Sequence, residues 1–364
     1  MKYWKSVFQK LQIRLAIAAG ISLLLFSICL LIGLGMSSKM VDQQFSERWC
    51  KDDSFSQVSM FFSELAGFKE ENVQDVIVAI EDKIREDAIL PHTENEDAKQ
   101  YVLAYSARGT ATLSFKENSI EADAIGIGGD YFLFHPFKLL YGSFVDGDEI
   151  MKDGVVIDSN IAWNLYGSVN IVGREIMVGD RVHFVRGVIE RDSGRLNDLA
   201  GNSKPTIYMS CESLSEFGSL TYVNNLEGLL PNPISGYAKD LLSTYFVNNG
   251  TDESRYEIVE NTGRFNWTRL FKIVKQFGTR GMNTKGIVYP FWENKARGVE
   301  DYLAPLLVAS IIFVAFPTIL FIMLLMRMWK KRTIHKKDIW NYFADKLYEY
   351  RAAKKERLED GEFS

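Results

Sequence analysis

The sequence has few of the residues from which metal centres and disulfide frameworks are built. Its 364 residues include three cysteines and four histidines. Cysteine is too scarce to cross-link a large domain at several points. The histidines lack the partner three or four residues away that a helical metal site needs; they are His92, His135, His183 and His335. We therefore predict no metal and no other cofactor.

The positions of the cysteines leave one question open. Cys29 lies inside a long apolar run, which leaves Cys50 and Cys211 as the pair that could form a disulfide. Two unpaired thiols are an equally good interpretation, because separation in sequence does not report distance in space.

Catalytic motifs are missing as well. The sequence contains no P-loop of the type G-x-x-x-x-G-K-[ST], no G-x-S-x-G elbow and no D-x-D-x-D-G calcium loop. The glycines in GIGGD, residues 126–130, are followed by YFLF, which predicts a tight turn before a strand and not a phosphate-binding loop. We predict no catalytic residues and no enzymatic activity.

Two long apolar runs are present instead. Residues 15–36 and 302–326 contain no charged side chain, and at about 1.5 Å per helical residue each run crosses a hydrocarbon core of about 30 Å. Pro305 and Pro317 are compatible with the second span, since transmembrane helices tolerate proline. A cleaved signal peptide is the alternative for the first run, but its apolar part exceeds the usual length of about 7–15 residues.

Basic residues flank both runs on the sides that face the chain termini. They are Lys2, Lys5, Lys10 and Arg14 before the first run, and Arg327, Lys330, Lys331, Arg332, Lys336 and Lys337 after the second. Positive charge favours the cytoplasmic side of a membrane. We therefore predict a protein of the plasma membrane whose segments 1–14 and 327–364 are cytoplasmic and whose residues 37–301 form an extracytoplasmic domain. With a net charge of −5 and no other basic face, we expect no nucleic-acid partner.

The extracytoplasmic region has mixed helix and strand patterns, which predict an α+β domain. Val41, Phe45 and Trp49 recur every four residues and indicate that the first span continues outward as a helical stalk. Short strand patterns separated by Gly or Asp fill residues 101–188. They include a hairpin that turns at residues 179–180, on which we expect Val182, Phe184 and Val188 to share one face and His183 to be exposed; these positions are read from the alternation of residues along the strand.

Aromatic and basic residues precede the second apolar run. Tyr289, Phe291 and Trp292 are followed by Lys295 and Arg297. Such residues are usual at the membrane interface, which is the interpretation we favour. The alternative is a second stalk helix that pairs with the first.

The run from Gly128 to Arg191 resembles the periplasmic core domain of the MacB-type, or FtsX-like, ABC transporter permeases. The family pattern is a Tyr-Phe pair, a Leu-x-Gly-Arg-x-Phe turn, a strand, an Ala-x-x-Leu-Phe-Gly helix, a Gly-Lys-x-Ile hairpin and a Val-x-Gly-Val strand. The matching residues are Tyr131 and Phe132; Leu140, Gly142 and Phe144; Val155 to Ile157; Ala162, Leu165, Tyr166 and Gly167; Gly173, Arg174 and Ile176; and Val185, Gly187 and Val188.

The resemblance implies an architecture more directly than an activity, because the matched residues are turn glycines and strand residues. Ser143 departs from the family's Arg. Family permeases also have four transmembrane helices, three of them after the outer domain, whereas this sequence shows one there. We therefore expect an ABC ATPase subunit and a further permease or homologous subunit as partners.

The C-terminal segment carries a helical pattern of its own. Asp338 is suited to cap a helix whose apolar face we take as the candidate partner-binding surface, formed by Ile339, Phe343, Leu347 and Tyr350. A lone amphipathic helix cannot bury its own apolar stripe, so it either lies on the membrane lipid or docks on a partner.

Two functional hypotheses follow. The first is a membrane subunit of an ABC-type export or mechanotransmission complex, which relays ATP-driven motion of a partner ATPase to the extracytoplasmic domain. The second is a standalone two-pass receptor or surface interaction module that binds a peptide, a lipid or a cell-wall component.

Overall fold

The computed structural model describes residues 2–51, 54–91, 99–146, 149–216, 222–277 and 285–360, with side chains left out for 2–9, 331–338 and 353–360. Two compact units divide the chain: Met1–Gly33 with Leu306–Ser364, and Leu34–Pro305. His92 and the side chain of His335, for which we predicted no metal role, lie outside the described part.

The first unit contains the apolar parts of two long helices, α1 (Lys2–Ser37) and α10 (Phe291–Asp360). Within them, Lys10–Ser37 and Phe291–Lys330 are long and apolar enough to cross a membrane. These two helices contain the two predicted spans, residues 15–36 and 302–326. The separate tail helix capped by Asp338 is a wrong prediction, because α10 continues through this position without a break.

The second unit has a mixed sheet, which confirms the predicted α+β class. Among the described residues the sheet has ten strands in the order β10-β1-β9-β2-β3-β8-β5-β7-β4, and β6 pairs with both β2 and β7. The strands are β1 (Phe55–Phe62), β2 (Val102–Phe115), β3 (Asn118–Gly129), β4 (Leu139–Gly142), β5 (Gly154–Asp158), β6 (Glu175–Val178), β7 (Arg181–Ile189), β8 (Thr206–Ser210), β9 (Asn225–Pro231) and β10 (Tyr256–Glu260).

Helices cover parts of this sheet. They are α2 (Phe45–Trp49), α3 (Glu70–Glu86), α4 (Tyr131–Phe134), α5 (Ser159–Tyr166), α6 (Arg195–Leu199), α7 (Cys211–Glu216), α8 (Tyr237–Asn248) and α9 (Trp267–Lys275). Apolar side chains of α3 and α8 pack against β1 and β9 in one core cluster. The apolar periodicity of these helices matches the face that they bury.

Six of the strands close into a ring. Strand β2 pairs with β3, β3 with β8, β8 with β5, β5 with β7, β7 with β6, and β6 returns to β2. A second core cluster fills this ring with aliphatic side chains, among them Leu113, Ile157, Val185 and Ile207, all of which are fully buried. Three strands of the ring, β5, β6 and β7, lie within the region 128–191 that resembles the permease family.

Two glycines of the family pattern have a clear physical reason. Gly142 and Gly187 face each other across β4 and β7. A Cβ on Gly142 would lie 2.0 Å from the carbonyl oxygen of Arg186, and Gly142 also has a φ of +83°. Only glycine fits such a close approach in the left-handed region.

Two predictions about local structure are wrong. Helix α1 ends at Ser37, so the predicted stalk is not a continuation of it. The stalk residues form a 3-10 turn (Val41–Gln43) and the short helix α2. Phe45 is buried in the second unit, Leu34–Pro305, which we call the outer domain. Because Phe45 packs on Phe134, this segment belongs to the globular core. The glycines at 126–129 lie at the end of β3 and lead into the short helix α4, not into a strand.

The face of β7 was also assigned to the wrong side. Val182 and Phe184 are exposed, whereas His183 and Val185 are buried. Opposite β5 the pairing moves from Val185 directly to Gly187, so one extra residue forms a β-bulge. A bulge reverses the alternation, which brings Val188 into the core although it has the same parity as Val182.

Cys50 and Cys211 are not joined by a disulfide. Cys211 is buried at the start of α7, and Cys50 is partly buried after α2. Burial raises the pKa of the Cys211 thiol well above its usual value. The structure therefore favours the two-thiol interpretation.

Candidate functional site

The chain segment that follows α1 is fastened to the sheet by a buried histidine. His135 lies just after α4 and is 1% exposed. Its Nδ1 is 3.0 Å from Oδ1 of Asp42, in the 3-10 turn after α1, and its Nε2 is 2.6 Å from Oε2 of Glu227 on β9. The imidazole thus bridges the incoming segment and a central strand.

The charges of these carboxylates decide the protonation of His135. Burial alone lowers the pKa of His135, but the negative charge of Glu227 and the hydrogen bonds that the ring donates to Asp42 and Glu227 outweigh it and raise the pKa to about 9. At neutral pH the ring is therefore an imidazolium that donates from both nitrogens. Burial raises the pKa of Asp42, yet the hydrogen bond and charge of His135 hold it below its usual value.

The same segment makes two further contacts with β1. The Phe45 backbone N–H donates to Oε1 of Gln57 at 2.9 Å, and Nε2 of Gln57 donates to the carbonyl oxygen of Asp42 at 2.7 Å. Ser46 and Thr262 share a hydrogen bond of 2.8 Å. The incoming segment is consequently held to the sheet by neutral as well as charged groups.

The outgoing segment, the first turns of α10, is fastened by a buried arginine. Arg264 lies between β10 and α9 and is 4% exposed. It donates to both carboxylate oxygens of Glu293, at 2.5 and 2.8 Å, and its Nε donates to Oε1 of Glu300 at 2.8 Å. Its Nη1 also donates to Oε1 of Gln43 at 2.9 Å. One guanidinium therefore joins both segments.

A second arginine extends this arrangement. Nε of Arg297 donates to Oε1 of Glu293 at 2.6 Å, and its Nη2 donates to Oε1 of Glu257 on β10 at 2.9 Å. The guanidinium also lies over the ring of Tyr289, 3.8 Å from its centroid. Burial raises the pKa of Glu293, but the charges of Arg264 and Arg297 outweigh it and hold the pKa below its usual value.

Aromatic rings close the space between the two groups of charges. Trp292 on the first turn of α10 is buried, and its ring centroid is 4.3 Å from that of His135. The Tyr131 ring lies 4.5 Å from His135 on another side. We call the charged side chains and Gln43 the anchor network; its members are Asp42, Gln43, His135, Glu227, Glu257, Arg264, Glu293, Arg297 and Glu300.

The burial of Trp292 corrects the interpretation of this aromatic segment. We expected Tyr289, Phe291 and Trp292 to lie at the membrane interface, but Trp292 packs in the core of the outer domain. Its position on α10 places this helix start inside the domain. The alternative interpretation, a second stalk helix, agrees with the structure in that most of the segment is helical. The first turns of this helix are, however, bound to the sheet.

A cleft of about 930 Å³ adjoins the anchor network. Glu257, Arg264, Arg297 and Glu300 form part of its wall. The remaining wall combines charged and apolar side chains, including Arg108, Asp123, Ile125, Arg269, Ile273 and Lys285. Its volume falls in the range of small-molecule sites, about 300–1,000 Å³.

The anchor network is suited to holding, not to bond chemistry. Both nitrogens of His135 are engaged by carboxylates, so neither is free to ligate a metal or accept a proton from a substrate. Over the described residues no group of His, Cys, Asp and Glu is arranged to hold a metal ion. Removing one partner of such a buried ion pair typically lowers the free energy of unfolding of a protein by about 3–5 kcal/mol.

The sequence-predicted partner-binding residues lie elsewhere, on the later part of α10. Their side chains are 53–71% exposed and make no contribution to the anchor network; they are Ile339, Phe343, Leu347 and Tyr350. Nothing in the sequence pattern had indicated the network itself. The one available signal was a set of charged residues, such as Glu227 and Arg264, within otherwise apolar or aromatic surroundings.

A family model described as the MacB-like periplasmic core domain matches residues 15–238. The chain belongs to this family of ABC transporter permeases. The match confirms the resemblance that was read from Tyr131 onward. It includes α1, the closed ring, Asp42, His135 and Glu227, whereas Arg264 and the start of α10 lie after the matched range.

Curated relatives share part of this MacB-like chain. The macrolide export ATP-binding/permease protein MacB of Chromobacterium violaceum is 34% identical over 94 residues, which are 25% of this chain and 14% of that protein. The protein of the same name from Neisseria gonorrhoeae is 30% identical over 100 residues, 26% of this chain and 16% of that protein. The chain thus aligns with less than a fifth of the length of these relatives.

Two solved structures are similar to parts of this chain. The extracellular domain of the noncanonic ABC-type transporter YknZ from Gram-positive bacteria has a TM-score of 0.39 and 17% identity, covering 56% of this chain and 99% of that one. The periplasmic region of MacB from Actinobacillus actinomycetemcomitans has a TM-score of 0.40 and 15% identity, covering 61% and 94%.

Proposed function

We propose that this chain is a membrane subunit of an ABC-type complex that relays the motion of a partner ATPase to the extracytoplasmic domain. Membership of the permease family supports a role beside an ABC ATPase. Both termini are then cytoplasmic, as the positions of the basic flanks favour. A further permease or a homologous subunit completes the assembly.

One observation in particular supports the proposed relay of motion. Glu293 and Glu300, which are buried against Arg264, lie on α10, the same helix that contains the second apolar run. Axial force on this helix therefore acts directly on side chains that are bonded to the loop after β10. Separating Glu293 and Glu300 from Arg264 would leave buried charges unpaired, which costs free energy. The outer domain and the start of the helix therefore move together.

The incoming side is fastened in the same way. Asp42 follows α1 by a few residues and is bound to His135, which is bound to Glu227 on β9, an interior strand of the sheet. Gln43 and Arg264 connect the two fastenings. The outer domain thus receives displacement of either helix at one place, the anchor network.

The exposed apolar residues near the C-terminus are the contact that we assign to the ATPase. Phe343 and Leu347 should be replaced together by Asp, and the protein purified from native membranes with the products of its neighbouring genes. We expect an ABC ATPase to copurify with the unchanged protein and to be lost from this variant. A control places two Asp residues on the opposite face, at Asn341 and Tyr348, where both side chains are exposed.

Two results would contradict the proposal. One is that no ATPase accompanies the unchanged protein. The other is that the ATPase remains bound to the Phe343→Asp/Leu347→Asp variant to the same extent as to the control. A melting curve of the outer domain, monitored for both variants, separates lost docking from lost folding.

The cleft beside the anchor network supports the second candidate function, a receptor or interaction module. Its mixed wall of aromatic, apolar and basic side chains fits a peptide or an amphiphile. A purified protein that carries such a molecule and no ATPase favours the receptor. A protein that carries the ATPase favours the relay.

A further inference from the structure

Among the described Ser and Thr side chains of the two membrane-spanning helices, the hydroxyl of Ser22 is the one that donates to the other helix. Ser27, Ser310 and Thr318 each donate to a carbonyl oxygen four residues earlier in their own helix, at 2.7–2.9 Å. This is the usual behaviour of Ser and Thr in helices. Ser22 on α1 instead donates across to the carbonyl oxygen of Phe313 on α10, at 2.7 Å.

The acceptor of this bond is the carbonyl group that Pro317 leaves without a partner. In a helix, the N–H of residue 317 would donate to the carbonyl of residue 313, four positions earlier. Proline has no N–H, so the Phe313 carbonyl lacks its intrahelical bond. An unsatisfied carbonyl in lipid costs several kcal/mol, and a hydroxyl from a neighbouring helix is one way to satisfy it.

Less exposed positions recur on both helices around this bond. On α1 they follow one another at intervals of three and four residues, and on α10 the half-buried positions include a set with the same intervals beside half-buried neighbours such as Val308 and Val314. They are Ala19, Ser22, Phe26, Cys29 and Gly33 on α1, and Leu306, Ser310, Phe313, Pro317 and Leu320 on α10. Alternating intervals of three and four are typical of paired helices that cross at a small angle.

We propose that Ser22 is a positioning residue that replaces the missing N–H of Pro317 and thereby fixes the register in which α1 and α10 pair. A shift by one helical turn, about 5.4 Å, would move the hydroxyl away from Phe313 and leave its carbonyl bare. The two spanning helices of one chain therefore move as a pair. This inference rests on contacts inside the membrane unit and holds whether or not an ATPase is the partner.

The register can be measured by cross-linking. Spanning helices of a two-pass chain run in opposite directions, so Cys29, seven residues after Ser22, lies level with Leu306, seven residues before Phe313. In a background with Cys50→Ala and Cys211→Ala, the Leu306→Cys variant should form a disulfide with Cys29 when membranes are oxidised. The Ile312→Cys variant should not, because Ile312 is exposed on another face of α10.

A double-mutant cycle then tests the role of Ser22. With Pro317 present, we expect Ser22→Ala to slow the Cys29 cross-link about three- to twentyfold, since lost interhelical hydrogen bonds in membranes are worth about 0.6–1.7 kcal/mol and about 1.4 kcal/mol is a factor of ten. In the Pro317→Ala background the N–H of residue 317 satisfies Phe313 itself. Ser22→Ala should there have no effect on the rate.

Two matched variants separate this role from a general effect on packing. Ser27→Ala also removes a hydroxyl from α1, but one bonded within its own helix, and should leave the rate unchanged. Ser22→Thr keeps the hydroxyl and should retain most of the rate. The proposal is overturned if Ser22→Ala has the same effect with and without Pro317, if Ser27→Ala slows the reaction equally, or if Leu306→Cys never cross-links.

Discussion

Two regions of the outer domain each bury a histidine, and they treat it in opposite ways. His135 lies in the anchor network between Asp42 and Glu227, whose charges raise its pKa to about 9. His183 lies on β7 of the closed ring, where burial lowers its pKa. The first is a cation at neutral pH and the second is a neutral ring.

The difference extends to the whole of each region. The closed ring is filled by a cluster of aliphatic side chains, which contribute stability through burial of apolar area. The anchor network instead holds the two chain ends of the domain through ion pairs, which contribute little net stability but penalise every arrangement that leaves a charge unpaired. The ring therefore maintains the fold, and the network fixes where the helices attach.

The largest effect in this comparison is expected for Arg264→Met. This change removes the guanidinium that the buried Glu293 and Glu300 share, so we expect the unfolding free energy to fall by about 3–5 kcal/mol. Urea unfolding of the detergent-solubilised protein, followed by near-UV circular dichroism, measures this. Arg85→Met, which removes an exposed ion pair on α3, is the matched control and should cost less than about 1 kcal/mol.

A compensated variant sharpens the test. Arg264→Met combined with Glu293→Gln and Glu300→Gln removes the charges together, and we expect it to recover much of the loss because no unpaired charge remains. If the single and the triple variants are equally unstable, packing of the arginine and not its charge holds the outgoing segment.

The pH dependence of stability should come from the anchor network. The pKa of His135 rises from 6.5 in the unfolded chain to about 9 in the folded protein, so its contribution is fully present below about pH 6.5 and is lost as pH rises through 9. We expect a loss of about 2–3 kcal/mol across this window. The measurement is urea unfolding at a series of pH values.

A variant without the charged pair shows whether the slope belongs to His135. His135→Gln combined with Glu227→Gln should be nearly independent of pH between 6.5 and 9. Asp42 contributes to the pH dependence of stability in acid. Because its pKa in the folded protein lies below the usual value of 3.8, its contribution to stability is lost as the pH falls below about 3.8. A slope that survives in the double variant would assign the alkaline transition to other groups.

The sequence predicted the ring region well, for a physical reason. Between β5 and β7 its elements are short and end at glycines: Gly167 ends helix α5 and Gly179 follows strand β6, and both have positive φ in the structure. Such signals are local, so a single pass along the chain finds them. The failure at His183 came from a bulge near Arg186, because an inserted residue changes which face each side chain takes.

The anchor network could not be predicted in the same way. Asp42, His135, Glu227 and Arg264 are separated by tens of residues and meet only after the sheet has formed. In sequence each is an ordinary polar residue in a loop or strand, for which solvent exposure is the common outcome. The spanning helices were predictable since length and lack of charge suffice, whereas the partner of Ser22 depends on how two helices meet.

The smallest expected effect concerns the ring. Ile157→Val removes one methylene group from a side chain that is fully buried in the aliphatic cluster, and we expect a loss of about 0.5–1.5 kcal/mol. The methylene is apolar, so its removal does not change the charge interactions of any titrating group. The loss should therefore be the same at pH 7 and pH 9, unlike the loss from the network variants. Urea unfolding at both values measures it. A cost that changes with pH would show that the ring and the anchor network do not contribute independently, since distant sites are expected to add.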